Sequence, residues 1–177
     1  RTWALKKNAD DVDMINTDPA KLSLWYRICY HLFLWGIPVK LPDETNANII
    51  IKNYVSSKKY DVVWIDKGLT IYAETLKFIK EKNPETRIVS YSPDNMALRH
   101  NQSQQFLECI PLYDIHFTTK SYILDDMKRL GAKKVVFTNQ LYESTYHHPI
   151  NLTNDELIRL GGDVGFIGMW EKERCES

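Results

Sequence analysis

The chain lacks an excess of charge of either sign. Its 177 residues include 23 Lys and Arg and 23 Asp and Glu, so that the formal net charge is zero. Without a net positive charge, no overall field attracts nucleic acid, and any charged ligand has to be bound by local groups. Nucleic acid is therefore not an expected partner.

Cysteine is scarce as well. The three cysteines, Cys29, Cys109 and Cys175, are far apart, and their spacing does not match that of metal ligands. We therefore expect no metal ion. We also expect reduced thiols, which are typical of a cytoplasmic protein.

Long uncharged hydrophobic runs are also missing. The most apolar stretch, residues 22–39, is interrupted by Arg27, His31 and Pro38, which makes it a poor membrane-spanning helix. A buried or interfacial helix is expected there, and this leaves peripheral membrane contact open. Its aromatic side chains are expected to pack in the core or at an interdomain surface rather than to bind a sugar; they are Trp25, Tyr26, Tyr30, Phe33 and Trp35.

The most informative feature that is present is a short apolar strand that runs into a charged turn. Residues 62–65 read Val-Val-Trp-Ile, which is typical of a strand covered on both faces, and Asp66, Lys67 and Gly68 follow at its end. Ligands bind at the carboxyl ends of the strands in open α/β sheets. These three residues therefore predict part of a binding site.

The same arrangement recurs along the chain. Residues 87–91 are strand-like and end at a Ser-Pro-Asp-Asn turn, which exposes Asp94 and Asn95. A further predicted strand, residues 114–118, ends at a Thr-Thr-Lys segment. The ends of the strands are thus expected to present polar groups to one common rim.

Strands and helices alternate over most of the chain. Predicted helices lie at about 20–35, 47–55, 70–82, 104–110, 122–130 and 155–160, and predicted strands at 11–16, 61–65, 87–91, 114–118, 134–137 and 163–168. This alternation predicts a doubly wound, Rossmann-like α/β domain with a parallel sheet. Residues 1–9 have helical preferences but no cap before them, and the last strand has no helix after it, so we expect a fragment. Residues 1–150 would form a domain without its first strand, and residues 151–177 a linker and the start of a second domain.

Several short segments occur in an order and spacing that are typical of one family. They are Trp-Ala-Leu-Lys at 3–6, Val-Trp-Ile-Asp-Lys-Gly at 63–68, Tyr-Ser-Pro-Asp-Asn at 91–95, residues 106–114 with 118–120, His-Pro at 148–149, and residues 164–174. In these segments the sequence resembles the spore-maturation (CgeB-type) proteins, which belong with the GT-B glycosyltransferases. The resemblance implies two Rossmann-like domains facing a cleft, with the acceptor on the first domain and a nucleotide-sugar donor on the second. It implies no cofactor besides this co-substrate.

Glycosyl transfer to a hydroxyl needs a base near the acceptor oxygen and positive or dipolar groups near the leaving diphosphate, where negative charge accumulates. Asp66 and Asp94 are the candidates for orienting or deprotonating the acceptor. The candidate acceptor-binding residues are Lys67, Gly68, Asn95, Asn101, Thr119, Lys120 and His148. The resemblance implies donor-binding residues in the second domain, namely Gly168, Trp170, Glu171 and Arg174.

These residues also have purely structural interpretations. Asp66 can cap a helix, Asp94 can shape a turn and Lys67 can be an ordinary solvated lysine. A noncatalytic Rossmann-type ligand-binding or regulatory domain is therefore the alternative function. A dinucleotide-dependent oxidoreductase is disfavoured, because no Gly-x-Gly-x-x-Gly motif follows a predicted strand.

Overall fold

A sheet of four parallel strands organises the fold. In the computed structural model, which describes residues 2–140, 145 and 147–162, the strands are β1 (Val62–Asp66), β2 (Arg87–Ser92), β3 (Ile115–Thr118) and β4 (Val135–Phe137). Their order in the sheet is β1-β2-β3-β4, and each neighbouring pair is parallel. The prediction of a Rossmann-like α/β fold with a parallel sheet is confirmed.

Helices precede and connect the strands. They are α1 (Thr2–Lys6), α2 (Leu24–Leu34), α3 (Ala47–Ser57), α4 (Ala73–Lys82), α5 (Gln104–Cys109), α6 (Leu124–Arg129) and α7 (Asn154–Leu160), with 3-10 turns at Arg99–Asn101, Ile110–Leu112 and Ser121–Ile123. The chain divides into two compact units, Arg1–Gln140 and Leu141–Ser177, and α7 belongs to the second. None of the helices in the described ranges has the length and apolarity needed to cross a membrane.

Helix α2 starts later than the sequence predicts. The pattern of Asp18 and Pro19 indicates a start near residue 20, but Ser23 is the residue that caps the helix. Its Oγ accepts a hydrogen bond of 3.0 Å from the backbone N–H of Tyr26. Because a serine oxygen satisfies one of the otherwise unpaired N–H groups of the first turn, the helix begins directly after it.

The prediction of a strand at residues 11–16 is wrong, because this segment has no regular secondary structure. Side-chain contacts, rather than a backbone ladder, keep this segment in place. The Lys58 ammonium pairs with Asp11 and with Asp13, the latter at 2.9 Å, and the Tyr60 hydroxyl donates to Asp13 at 2.6 Å. Ile15 packs against the core. The alternating pattern therefore reflects side-chain contacts near the start of β1 rather than a backbone ladder.

Two hydrophobic clusters cover one face of the sheet. In the first, Ile51 of α3 and Ile79 of α4 pack with Ile65 and Ile88 of the first two strands. In the second, buried side chains of α5 and α6 pack against Val135 of β4. The connecting helices thus share a face, as expected when successive right-handed crossovers step through the sheet in one direction.

The opposite face carries stacked aromatic side chains. The ring of Trp64 lies 5.8 Å from that of Tyr91 and 5.8 Å from that of Phe117, between centroids. Trp64 remains 39% exposed and Val62, on the same face, 52% exposed. This aromatic face is therefore less shielded from water than the face that carries the two clusters.

A buried histidine lies on the helix-covered face. His116 is 1% exposed, its Nδ1 lies 3.1 Å from Ser90 Oγ, and its ring meets that of Phe106 edge-on. Within the described part of the chain, its Nε2 has no hydrogen-bond partner. Burial lowers the pKa of His116 to about 4, because the charged imidazolium would lose its hydration.

Acidification should therefore destabilise the protein through His116. In the unfolded chain the imidazole takes up a proton near a pKa of 6.5, whereas the folded protein resists protonation down to about 4. As the pH falls between these values, the unfolded state gains a proton that the folded state does not hold. From this residue, the free energy of unfolding should fall by up to about 1.4 kcal/mol per pH unit, measured by urea unfolding at a series of pH values.

His116→Asn should flatten this pH dependence. The matched control is His100→Asn, because His100 is exposed and its replacement should leave the dependence as in the wild type. If the H116N protein lost stability with falling pH as steeply as the wild type, His116 would not be the responsible group.

Candidate functional site

Three loops lie side by side at the carboxyl ends of β1, β2 and β3. We call them the rim, which comprises residues 66–70, 92–98 and 118–120. Side chains hold these loops together: Thr119 Oγ1 of the third loop donates to the Pro93 carbonyl of the second at 3.1 Å, and Ser103 Oγ, directly before α5, donates to the Leu69 carbonyl of the first at 2.6 Å. The rim is therefore a connected surface at the edge where α/β sheets bind ligands.

Lys67 and Asp94 form an ion pair across the first two loops. The ammonium nitrogen lies 2.7 Å from Asp94 Oδ2, and the two side chains are 38% and 43% exposed. Lys67 adopts a left-handed backbone conformation with φ of 59°, which costs a non-glycine residue about 1 kcal/mol. A half-exposed ion pair contributes about 0–1 kcal/mol, which is no more than that cost. The N–H of Lys67 also donates to the Tyr91 carbonyl at 2.8 Å. A left-handed residue of this kind at the end of a strand makes the ion pair the candidate centre of the rim.

Gly68 gives the first loop its tight turn. It is buried, has φ of 62°, and its N–H donates to the Asp66 carbonyl at 2.6 Å. A Cβ atom at this position would lie 2.7 Å from Ile65 Cγ2 and 3.1 Å from the Tyr113 hydroxyl. Both the backbone conformation and the close approach of the core therefore require glycine.

The two predicted catalytic carboxylates have different neighbours. Asp66 is exposed, and its Oδ1 accepts a hydrogen bond of 3.0 Å from Nε1 of Trp64, on the aromatic face of the sheet. The backbone N–H of Asp94 donates to Ser92 Oγ at 3.1 Å, and its carboxylate meets Lys67. Both residues belong to the rim, but Asp66 is hydrogen-bonded to Trp64 whereas Asp94 forms an ion pair with Lys67.

The two predicted asparagines stabilise the second loop. Asn95 Oδ1 accepts from the backbone N–H of Ala97 at 3.1 Å, and Asn101 Nδ2 donates to the Asn95 carbonyl at 3.0 Å. Such bonds are the usual local role of asparagine in turns. A role for these amides in binding sugar hydroxyls stays a prediction.

Lys120 brings a second cation to the rim. It is half-buried, and its backbone N–H donates to Thr118 Oγ1 at 3.1 Å. Its loop follows β3, which is separated from β1 by β2. Two strand spacings amount to about 10 Å, so the backbones of Lys67 and Lys120 flank the second loop at roughly that separation.

The remaining predicted residues belong to the second unit. His148 is exposed there. The predicted donor-binding residues Gly168, Trp170, Glu171 and Arg174, and the predicted strand at 163–168, lie outside the described residues. In the described ranges, no group of three or more His, Cys, Asp or Glu side chains could hold a metal ion.

Two residues that support the rim were not predicted. Ser103 bonds the first loop and also caps α5, where its Oγ accepts from the Phe106 N–H at 3.0 Å. Gln102 is buried, and its Nε2 donates to the Met96 carbonyl at 2.7 Å. A serine before a helix is a readable capping signal, but nothing in the local sequence indicates that Gln102 holds a loop.

Gly68→Ala should destabilise the protein by about 2 kcal/mol or more, because it adds a left-handed alanine and a clash with the core. The control is Gly36→Ala, since Gly36 also has a positive φ, of 96°, but nothing within 4 Å of an added Cβ. Urea unfolding should show the larger loss for G68A. Equal losses would show that the close approach to Ile65 and Tyr113 does not constrain position 68.

No family model matches the chain, and neither a curated protein nor a solved structure is significantly similar to it. The resemblance to the CgeB-type proteins therefore stays a hypothesis that rests on short motifs, and function has to be inferred from the rim itself.

Proposed function

We propose that the rim binds the acceptor in glycosyl transfer from a nucleotide sugar. The observation that carries the proposal is the Lys67–Asp94 pair, which joins the ends of two adjacent parallel strands at 2.7 Å and stays half-exposed. This is the edge of the sheet where a ligand is expected. The left-handed conformation of Lys67 supports a functional reason for the pair.

A polyhydroxylated acceptor suits the chemistry of this pair. A carboxylate accepts hydrogen bonds from hydroxyl groups, and an ammonium group donates up to three hydrogen bonds to oxygen. Asp94 and Lys67 can therefore bind neighbouring oxygens of one sugar ring. Lys120 would add positive charge beyond the second loop and favour an acceptor that carries a negative group.

In the reaction, Asp94 would act as the general base. Its carboxylate would accept the proton of the attacking hydroxyl while the acceptor oxygen forms a bond to the anomeric carbon. The bond between that carbon and the donor phosphate would break, and its electron pair would leave with the nucleoside diphosphate. Lys67 would hold the carboxylate in place, and Asp66 would orient the acceptor from the side of Trp64.

The alternative is a noncatalytic domain that binds a polar ligand at the same pair. The surroundings of the two carboxylates are consistent with it, because Asp66 accepts a hydrogen bond from Trp64 and Asp94 pairs with Lys67, contacts that a binding site also uses. Both functions predict weaker ligand binding when Lys67 is replaced. Turnover distinguishes them, because a binding domain has none to lose.

Asp94→Asn should lower kcat by about a hundredfold or more, while donor binding is largely retained. Asn keeps the shape of the side chain but cannot take up the proton. The measurement is release of nucleoside diphosphate from a panel of nucleotide sugars, with sugar acceptors present. The matched control is Asp125→Asn, because Asp125 is exposed on α6 and pairs with Lys128.

Two results would contradict the proposal. One is a wild-type protein that neither transfers nor hydrolyses any nucleotide sugar but binds a ligand in a manner that depends on Lys67, which would favour the binding domain. The other is an Asp94→Asn protein with wild-type kcat, which would remove Asp94 from the reaction.

A further inference from the structure

Helix α2 has two apolar faces, and the protein covers one of them. On the inner face Cys29 and Phe33 are 1% and 0% exposed. On the outer face Leu24, Trp25 and Ile28 are 74%, 59% and 40% exposed. A helix that is apolar on both sides normally lies between two partners. The outer face of α2 is therefore apolar surface that the core of the first unit does not cover.

The exposed side chains form a continuous stripe. Successive residues of a helix are rotated by about 100°, which places Leu24, Ile28 and Trp25 within roughly a quarter of the circumference. Trp35, which directly follows the helix, falls in the same sector and is 77% exposed, and Ile37 beyond it is 48% exposed. We call these five residues the outer stripe. Contiguous apolar surface of this kind marks an interaction site.

The segment of sequence that carries the outer stripe is basic. Residues 21–40 include Lys21, Arg27, His31 and Lys40 but no Asp or Glu, although the chain as a whole is neutral. Arg27 and His31 are exposed and lie next to Leu24 on the helix surface. Lys40 is already paired with Glu108 at 2.8 Å. Lys21 and Arg27 are thus the cations beside the stripe, and the carboxylate of Glu44 at the start of α2 is bonded to the Ser23 N–H at 3.2 Å.

The helix presents this surface rigidly. The Tyr30 hydroxyl donates to the His100 carbonyl at 2.7 Å, and Arg99 Nε donates to the Phe33 carbonyl at 2.8 Å. The Arg99 guanidinium also stacks on the Phe33 ring at 4.1 Å. Because the inner face is fixed in this way, the outer stripe stays exposed without any unfolding of α2.

We propose that the outer stripe binds the surface of an anionic lipid bilayer. Tryptophan prefers the headgroup level of a membrane, and leucine and isoleucine insert just below it. Lysine and arginine beside such a surface are attracted by anionic headgroups. The outer stripe has a tryptophan toward each end and basic residues along one border, which are the residues that a membrane surface favours. The helix would lie in the plane of the interface, and the proposal is independent of glycosyl transfer.

The test is binding of the complete chain to lipid vesicles, measured by co-sedimentation. Vesicles of phosphatidylcholine with phosphatidylserine should bind the wild type, and vesicles of phosphatidylcholine alone should bind it less. Trp25→Ser combined with Trp35→Ser should weaken binding by about tenfold or more. Arg27→Gln should weaken binding to the anionic vesicles only, and added salt should have the same effect. Circular dichroism checks that each variant is folded.

The matched control replaces a different exposed apolar pair. Leu157 and Ile158 of α7 are 51% and 85% exposed, so Leu157→Ser with Ile158→Ser removes similar apolar surface but should leave vesicle binding unchanged. The proposal is overturned if wild-type protein does not bind anionic vesicles, or if the tryptophan variant binds them equally well. It is also overturned if the outer stripe instead forms a dimer that the tryptophan variant dissociates, as seen by light scattering.

Discussion

The parallel alignment of β1, β2 and β3 is the constraint on which the rest of the structure depends. Since all three strands end at one edge, loops that are distant in sequence become neighbours there. The N–H of Lys67 donates to the Tyr91 carbonyl at 2.8 Å, so the backbone ladder continues into the first loop of the rim. The sheet thus fixes the backbone of Lys67, and the ion pair with Asp94 directs its side chain. The two hydrophobic clusters support this order by covering one face of the strands.

The rim combines loops that are fixed by hydrogen bonds with charged side chains at their surface. Ser92, Ser103 and Thr119 hold its loops through bonds to backbone groups, and Gly68 lets the first loop rest on the core. The side chains of Lys67 and Asp94 lie at the surface of these loops and remain partly exposed to solvent. Binding sites usually have this division, in which buried groups fix the loops and a few exposed charged groups meet the ligand.

The sheet could be predicted because its strands are short, mostly apolar runs that end at polar residues, the first at Asp-Lys-Gly and the second at Ser-Pro-Asp-Asn, and both signals are local. The same reasoning failed at residues 11–16. There the polar residues of the alternating pattern include Asp11 and Asp13, which form ion pairs with Lys58 instead of belonging to a strand. The position of the rim also followed from the sequence, since parallel strands end together. The pairing of Lys67 with Asp94 did not, because it depends on a left-handed lysine, a conformation that sequence patterns assign to glycine or asparagine.

The left-handed backbone of Lys67 also limits which residues can replace it. Valine, isoleucine and threonine carry a branched Cβ that this region of conformational space does not accommodate. Glycine and asparagine would fit the backbone easily but would remove the cation. Of the other residues, arginine is thus the one whose long unbranched side chain keeps both the turn and the positive charge.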